Sequence, residues 1–378
     1  MRIAIAMRAI DQDSGFHLYL DGLIESLLKI DRDNTYLLFY RTSKWFGRFS
    51  SHKNVTEHIL KAPHKILWDQ IAVPYAAWKY KADVVFNPKF SVPLISHCPV
   101  VMGIQEPAWW TWPEHYEKWD VLYQKLMLPL YARKASHVFA MTQWDLDENR
   151  KYLGAPLDHA TIAYPGMHEH LKPVTDQAVL TEFRAKYGLP DKFILSMTRV
   201  DNPGMDSSKK WNPSKNPHTT LRAFIQCRDK IPHHLVFAGR NVRNYFLDNG
   251  FTAEDFERVH FIPFVPFNEL QNIHSLSELI VAPSYYESFS FTLLGAMACG
   301  CPSIVSTIGG FYEVVGDAAL YANPHSPEDF AEKIVQVLGN EELRQSLKRT
   351  SLDRAARYTW ENTARPILQG LTRTVEGR

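Results

Sequence analysis

The stretch YYESFSFTLLGAMACGCPSIVS, residues 285–306, decides the fold. It follows the apolar run LIVA and contains a polar loop, an apolar helical segment that begins after Ser290, and the apolar run SIVS. Short apolar runs that alternate with helical segments are typical of parallel β-α-β units. The stretch therefore predicts a buried strand, a loop at its carboxyl end, a helix and a second buried strand.

The same alternation continues along the chain in both directions, with residues 16–30 as a predicted helix. The strands predicted in the first part are residues 3–7, 36–40, 84–87, 100–104, 137–141 and 161–164, and those in the second part are 193–198, 234–239, 259–262, 279–284, 303–306 and 319–323. Doubly wound sheets bind ligands at the carboxyl ends of their strands. The predicted fold class is α/β, with two Rossmann-like parallel-sheet domains facing across a crevice.

A polar stretch separates the two series of strands. In YPGMHEHLKPVTD, residues 164–176, two prolines and a glycine interrupt the alternation. We expect an N-terminal domain over residues 1–167, a C-terminal domain over 168–358 and a helix over 359–378. The sequence leaves open which domain this helix packs on, and a return to the first domain is one option.

Composition excludes several classes of protein. The formal net charge is +1, so the chain as a whole has no attraction to nucleic acid. The four cysteines lack C-x-x-C pairing, which favours a reducing cytoplasm over a zinc site. No apolar run suits a signal peptide or a membrane span. D-x-D triplets begin at Asp11, Asp31 and Asp145, and we interpret them as solvated carboxylates. A cytoplasmic protein is expected, with attachment to the inner face of the membrane as an option.

Glu287 is the first candidate for chemistry. It lies between a predicted strand and the start of a predicted helix. A helix N-terminus attracts phosphate, and a carboxylate beside it suits a ligand that joins hydroxyl groups to a phosphate. The residues alone equally allow Glu287 to cap its own helix.

Five motifs follow one another around this residue. They are P-S at 283–284, E-S-F-S at 287–290, L-G-A-M-A-C-G at 294–300, P-S-I-V at 302–305 and G-G-F-Y-E-V-V-G-D-A-A at 309–319. In this order they closely resemble the donor-binding half of the retaining GT-B glycosyltransferases of family 4, the glycosyl transferases group 1. Residues 196–224 look like the family segment that carries a diphosphate-binding Arg and Lys, and residues 11–28 are similar to its first phosphate loop and helix.

The resemblance implies a metal-independent site for a nucleotide diphosphate sugar in the C-terminal domain. Arg199 and Lys215 would bind the diphosphate, Glu287 would hold the sugar hydroxyls, and Gly15 would approach the phosphates. Further donor-binding residues would be Ser288, Phe289, Ser290, Phe291 and Thr292. A solvated basic loop is the alternative for the two cations. Lys209 and Lys210 are rival phosphate ligands, because the loop is longer than the family spacing.

Two positions depart from the family pattern. Gly295 stands where the family has a second glutamate for the ribose, and a glycine inside a helix costs roughly 1 kcal/mol relative to alanine. We expect it to serve close approach of the nucleotide or tight helix packing. Gln105 stands where the family has a histidine near the donor sugar, and glutamine cannot carry a proton. Both changes leave open a non-catalytic sugar-nucleotide-binding or regulatory partner of an active glycosyltransferase.

The N-terminal domain is the acceptor side in this family. Glu106, Trp109 and Trp110 open an aromatic-rich segment that offers faces for sugar rings, with core packing as the alternative. Residues 41–54 interleave basic and aromatic residues, which suits peripheral contact with anionic lipid, with a solvated loop as the alternative. The resulting hypothesis is a retaining hexosyltransferase without a cofactor, using a UDP- or GDP-sugar and a glycan or lipid-linked glycan acceptor. A GT-B epimerase or phosphorylase is the rival enzyme.

Overall fold

The computed structural model describes residues 1–11, 15–155, 157–201, 211–212 and 214–377. The chain divides into two compact units. The first unit comprises Met1–Pro113, Lys118–Gly166 and Tyr358–Arg378, and the second comprises Glu114–Glu117 and Met167–Arg357.

The first unit contains a parallel sheet that has seven strands in the described residues. Its strands are β1 Arg2–Ala6, β2 Thr35–Tyr40, β3 Val55–Ile59, β4 Val84–Asn87, β5 Val100–Ile104, β6 His137–Ala140 and β7 Ala160–Ile162, in the order β3-β2-β1-β4-β5-β6-β7. The central strands are buried on both faces, as expected for a parallel sheet between helix layers. The strand order reverses between β1 and β4.

Helices cover this sheet. They are α1 Gly15–Ile30, α2 Lys65–Leu67, α3 Val73–Lys79, α4 Ala108–Thr111, α5 Lys118–Lys134 and α6 Gln143–Leu153, with a π-helical turn, Trp68–Ala72, joining α2 to α3. One face of α1 is buried, since Leu20, Leu23 and Leu27 are fully covered.

The second unit has a parallel sheet with six strands in the part of the chain that is described. These are β8 Phe193–Met197, β9 His234–Ala238, β10 Val259–Ile262, β11 Leu279–Ala282, β12 Ser303–Ser306 and β13 Ala319–Ala322, in the order β10-β9-β8-β11-β12-β13. Its helices are α7 Gln177–Tyr187, α8 Pro217–Cys227, α9 Val242–Asp248, α10 Leu270–Leu276, α11 Phe291–Ala298, α12 Gly309–Val314, α13 Pro327–Leu338 and α14 Glu341–Ala355. Here the strand order reverses between β8 and β11, which is where open α/β sheets bind ligands.

The last helix, α15 Trp360–Glu376, belongs to the first unit. It packs on α1, and a Cβ atom on Gly22 would lie only 2.1 Å from the indole of Trp360. Thr363 Oγ1 also donates a hydrogen bond of 2.6 Å to the carbonyl oxygen of Tyr164. The helix therefore fills a place in the first unit that only glycine on α1 leaves open.

The predicted α/β class with two parallel sheets is confirmed, and two local predictions are wrong. β3, an edge strand whose residues are only partly buried, was not predicted. Asp31 and Asp145 were expected to be solvated, whereas both are buried. Asp31 accepts hydrogen bonds from Tyr36 Oη at 2.6 Å and Asn34 Nδ2 at 2.8 Å, so this carboxylate shapes the turn that follows α1.

Candidate active site

Lys215 and Glu287 meet on the second unit. Lys215 lies in the segment between β8 and α8, and Glu287 lies between β11 and α11. Lys215 Nζ donates to Glu287 Oε2, and Ser284 Oγ donates to the same oxygen over 3.4 Å. The two side chains are 32% and 14% exposed. The pair is therefore partly shielded and still open to solvent on one side.

Ser290, rather than Glu287, caps the helix α11. The Ser290 Oγ atom accepts a hydrogen bond from the backbone N–H of Leu293 at 3.4 Å. The alternative interpretation of Glu287 as a helix cap is thus wrong, and its carboxylate is directed to Lys215 instead.

A small cleft lies beside the ion pair. Its described lining consists of Ser196, Met197, Lys215, residues 280–284, Glu287, Ser290, Thr292 and Leu293. Lys215, Glu287, Ser290 and Thr292 are thus brought together at the carboxyl ends of β8 and β11. A cation, a carboxylate and a helix N-terminus share this cleft, as an anionic, hydroxyl-bearing ligand requires.

Three other predicted donor-binding residues support the cleft without lining it. Ser288 and Phe289 are buried. The ring of Phe289 packs edge-on against Phe291, with the ring centroids 5.1 Å apart. We assign these side chains to holding the loop in place.

Asn216 fixes the backbone next to Lys215. Its side chain is fully buried, and Nδ2 donates to the carbonyl oxygens of Pro283 at 3.0 Å and Pro324 at 2.7 Å. The residue has φ = 50°, a left-handed conformation that asparagine tolerates better than most residues. Asn216 therefore joins the loops after β8, β11 and β13. The sequence analysis missed this role, although an asparagine before the proline that starts a helix is a capping signal.

The Glu287 loop is held from two further sides. The backbone N–H of Tyr285 donates to the carbonyl oxygen of Ser214 at 3.0 Å, which couples this loop to the one that carries Lys215. On the other side, a Cβ atom on Gly310 would lie 2.3 Å from the carbonyl oxygen of Glu287 and 2.4 Å from that of Ser288. Close packing of the α12 backbone against the loop thus requires glycine.

Arg199 is placed differently from Lys215. It follows β8 by two residues and is exposed, and it is not among the described residues that line the cleft. The rival ligands Lys209 and Lys210 lie outside the described residues. Lys215 is therefore the predicted cation for which the described residues show a contact with Glu287.

Gly295 is buried inside α11 and does not meet the described cleft. A Cβ atom there would lie 3.5 Å from His274 Nε2 and 3.6 Å from Leu171 Cδ1, which is ordinary van der Waals contact. The structure thus gives no steric reason for glycine. His274 itself is buried, and burial lowers its pKa to about 4. Within the described chain, neither of its ring nitrogens has a hydrogen-bond partner.

In the first unit, Gly15 and Gln105 lie near the carboxyl edge of the sheet. Gly15 is the first residue of α1, and Gln105 directly follows β5. Gln105 is buried, and its Nε2 atom donates to the carbonyl oxygen of Pro88 at 3.3 Å. Its side chain is thereby engaged with the protein's own backbone.

Lys89 is a residue that the sequence analysis missed. It follows β4, and its Nζ atom lies 4.8 Å from the ring centroid of Phe16, the neighbour of Gly15. Desolvation lowers the pKa of Lys89 to about 8, with Glu106 opposing the shift and Arg8 adding to it. Its place shortly after an apolar predicted strand is the feature of the sequence that could have pointed to Lys89.

The aromatic residues proposed for the acceptor side pack largely against the first unit. Trp109 and Trp110 are partly buried against its core. Trp109 Nε1 donates to Asp120 Oδ2 at 3.0 Å, and the Trp110 ring stacks near Tyr152 with centroids 5.9 Å apart. Glu106, which precedes them in the chain, is partly buried. Core packing therefore accounts for much of the contact of the two tryptophans.

Residues 41–54 offer less free basic and apolar surface than their composition suggests. Phe49 is fully buried, and Arg48 pairs with Asp21. The ring of Trp45 lies 4.2 Å from that of His17, and Phe46 is 48% exposed.

No group of three or more His, Cys, Asp and Glu side chains in the described residues is arranged to hold a metal ion. In the same residues, no helix combines the length and apolar character needed to cross a membrane.

The chain is similar to known proteins in both sequence and fold. The family model for glycosyl transferases group 1 matches residues 205–354. The serotype-specific mannosyltransferase WbdA of Escherichia coli is 25% identical over 257 residues, which are 64% of this chain, and the chain spans 29% of the length of that protein. HepE of Anabaena, solved with UDP-glucose, has a TM-score of 0.73 at 16% identity, covering 98% of this chain and 99% of HepE.

One relative decides the family. The O-antigen chain mannosyltransferase B of Escherichia coli is 33% identical over 298 residues, covering 76% of this chain and 74% of that protein. The two parallel sheets are those of the GT-B fold, as in the structure of HepE. The chain therefore belongs to the group 1 glycosyltransferases of GT-B fold.

Proposed function

We propose that the protein is a hexosyltransferase that moves a hexose from a nucleotide diphosphate sugar to a glycan or lipid-linked glycan, with retention of configuration and without a metal ion. The observation that carries the proposal is the ion pair of Lys215 and Glu287 in the cleft at the carboxyl ends of β8 and β11.

The charges of the cleft suit a departing nucleoside diphosphate. Negative charge grows on the diphosphate as the glycosidic bond breaks, and a preorganised cation with a helix N-terminus stabilises it. Lys215 and the start of α11 supply these two features. Arg199, two residues after β8, is proposed as the second cation on the strength of the family resemblance.

Donor binding would rearrange the ion pair. A diphosphate competes with Glu287 for the ammonium group of Lys215, because both are anions that require the same cation. The released carboxylate then accepts hydrogen bonds from the sugar hydroxyls, with Ser284 keeping it in position. Gln105 cannot carry a proton, so we assign the acceptor's proton to the leaving phosphate.

The relatives suggest the donor. Two of them are named mannosyltransferases, and HepE was solved with UDP-glucose. We therefore propose mannose as the first sugar to test, with UDP and GDP as the first nucleotides. The four cysteines are buried thiols, which fits a cytoplasmic reaction.

Thermal unfolding with UDP, GDP, ADP, dTDP and CDP, each with and without magnesium, tests the donor site. A nucleotide at a hundredfold its Kd stabilises the protein by roughly 2.7 kcal/mol. We expect one nucleotide to raise the Tm without magnesium and to lose this effect in Lys215→Ala. The exposed Lys230→Ala variant is the matched control. No shift with any nucleotide would overturn the donor site.

Catalysis needs a second measurement. The protein and the matching nucleotide sugar are incubated with free oligosaccharides or with a polyprenyl diphosphate-linked glycan as acceptor. NMR then gives the anomeric configuration of the product. Transfer with retention of configuration by the parent protein, together with loss of transfer in Glu287→Gln, supports the transferase. Nucleotide binding without transfer to any acceptor would favour the non-catalytic sugar-nucleotide binder.

A further inference from the structure

The first unit exposes an unusual row of large apolar side chains on one helical segment. In the run from α2 through the π-helical turn to α3, Leu67 is 42% exposed, Ile71 60%, Tyr75 60% and Trp78 62%. Successive members are three or four residues apart, which places them on one face. The rings of Tyr75 and Trp78 lie 6.0 Å apart, in agreement with a shared face.

Helix α5 shows the same feature. Trp119 is 81% exposed, Leu122 48%, Leu126 61% and Leu130 44%, again at spacings of three or four residues. The opposite face of α5 is buried in the core of the first unit. That core also receives the opposite face of the α2–α3 segment. The two exposed rows therefore point away from the same core.

Gln70 joins the two rows and adds a third element. Its Nε2 atom donates to the carbonyl oxygen of Val92 at 3.0 Å and to Tyr131 Oη at 3.3 Å, and its Oε1 atom accepts from the backbone N–H of Leu94 at 3.0 Å. The chain neighbours of these residues are the exposed Ile71, Leu130 and Ile95, of which Ile95 is 86% exposed. A second link is the ion pair of Lys65 and Asp120 at 3.1 Å. These links bring the two helix faces and Ile95 close to one another, and together they are here called the apolar helix surface.

Basic residues flank the apolar helix surface. The stretches that contain its two helical segments, residues 61–81 and 118–134, include Lys61, Lys65, Lys79, Lys81, Lys118, Lys125, Arg133 and Lys134. Their acidic residues are Asp69 and Asp120, and both are paired, with Arg8 and Lys65 respectively. The net charge of these segments is therefore strongly positive, although the whole chain is close to neutral.

This combination points to one kind of occupant. Exposed Trp, Tyr and Leu side chains on helices with Lys and Arg at their margins are suited to the boundary between lipid headgroups and acyl chains. The positive flanks favour negatively charged headgroups. Single exposed apolar residues are common on soluble proteins, whereas an extended patch marks an interaction site.

We propose that the apolar helix surface docks the first unit on a bilayer that contains anionic phospholipid. The contact is peripheral, with the indoles of Trp78 and Trp119 and the leucines of α5 entering the headgroup boundary. It does not depend on the proposed transferase reaction. Residues 41–54, expected from composition to make such a contact, are a weaker candidate, because Phe49 is buried and Arg48 is engaged by Asp21.

Vesicle flotation of the full chain tests the proposal. Vesicles of phosphatidylcholine alone are compared with vesicles containing about 30% phosphatidylglycerol, at about 0.1 M and about 0.5 M salt, where screening differs strongly. We expect binding to the anionic vesicles, weakened by salt. The variants Ile71→Ser/Trp78→Ser and Trp119→Ser/Leu126→Ser should each bind roughly tenfold more weakly.

Two controls keep the result specific. Phe264→Ser removes a ring that is 57% exposed on the second unit, and it should bind as the parent does. Thermal unfolding of every variant checks that weaker vesicle binding does not result from unfolding. The Tm values should match that of the parent, because the replaced side chains are already exposed. Lys44→Glu/Phe46→Ser tests residues 41–54, and a loss confined to this variant would overturn the assignment.

Other outcomes would also overturn it. Equal binding by the parent and both apolar variants would place any lipid contact elsewhere. Absence of binding to anionic vesicles would remove the lipid as occupant. If sedimentation showed a dimer of the parent that both apolar variants dissociate, without vesicle binding, the surface would join two copies of this chain.

Discussion

The ammonium group of Lys215 and the carboxylate of Glu287 form an ion pair across 72 positions of sequence. Each residue comes from a loop at the carboxyl end of a different strand, and the two strands, β8 and β11, are neighbours. The pair thus connects the two loops that border the cleft. A change to either residue alters the charge environment of the other.

This contact predicts coupled effects on transfer. Lys215→Ala and Glu287→Gln should each lower kcat/KM by roughly 100-fold, or about 2.7 kcal/mol, because each removes a group aimed at the donor. The double variant should lose clearly less than the sum, since residues in direct contact couple. Steady-state kinetics of all four proteins measure the coupling. Strictly additive losses would mean that the two residues act separately.

The buried Asn216 predicts a stability effect with a graded control. Asn216→Ala leaves the carbonyl oxygen of Pro283 without this donor, at a cost of about 1–3 kcal/mol for a buried group, whereas the Pro324 oxygen keeps the hydrogen bond from Thr219 Oγ1. Asn216→Gly loses the same bonds but tolerates the left-handed backbone, so it should be less destabilised than the alanine variant. Urea unfolding provides both values.

A comparison with an exposed helix cap separates the effect of the two carbonyl contacts of Asn216 from the effect of ordinary capping. Asn340 accepts the backbone N–H of Leu343 at 3.0 Å at the start of α14. Asn340→Ala should cost only about 1 kcal/mol. If Asn216→Ala costs no more than this, the two carbonyl contacts contribute nothing to stability.

Two glycines of the second unit should respond oppositely to alanine. Gly295→Ala should stabilise the protein by up to about 1 kcal/mol, because a methyl group fits and alanine favours a helix. Gly310→Ala should destabilise it and impair transfer, because its Cβ would meet the backbone carbonyls of Glu287 and Ser288. Thermal unfolding and transfer assays check both. A destabilised Gly295→Ala would show that glycine is needed there.

His274 predicts a loss of stability in acid. Its folded pKa of about 4 is below the ordinary value of 6.5, so the unfolded chain takes up a proton first as the pH falls. Stability should therefore be constant above about pH 6.5 and decrease toward pH 4, by on the order of 3 kcal/mol for this group. Unfolding curves of His274→Leu and the parent across this range measure the difference.

The difference between the variant and its parent isolates this group. His137 in the first unit also has a pKa lowered to about 4, chiefly by desolvation, and adds a loss of the same sign. An equal slope in His274→Leu and the parent would contradict the assignment to His274.

Much of the fold could be predicted from the sequence. Strands such as β8, β11 and β12 are short runs with an apolar centre next to prolines or polar loops, and this pattern is typical of buried strands. The strand β3 was not predicted because its central residues Thr56, Glu57 and His58 are polar, so the sequence shows neither an apolar run nor a strict alternation there.

The site was predictable in its residues but not in its contacts. Motif order named Lys215 and Glu287, whereas their pairing depends on β8 and β11 being neighbours. Asn216 makes contacts to Pro324 that are 108 positions away, beyond the reach of any local pattern. The apolar helix surface was missed for a different reason, since α5 is apolar on two faces and a sequence does not tell which one is covered.

Helix α15 packs on α1, with Trp360 over Gly22, although the second unit lies between the two helices in sequence. On the ribosome, α1 emerges before the second unit, and its partner exists only after residues 360–376 have been translated. The entire second unit is made in the interval. Co-translational folding normally proceeds from the N-terminus, but here the unit that is synthesised second can mature first. The nascent first unit must wait with Gly22 and its surroundings uncovered until the last helix arrives.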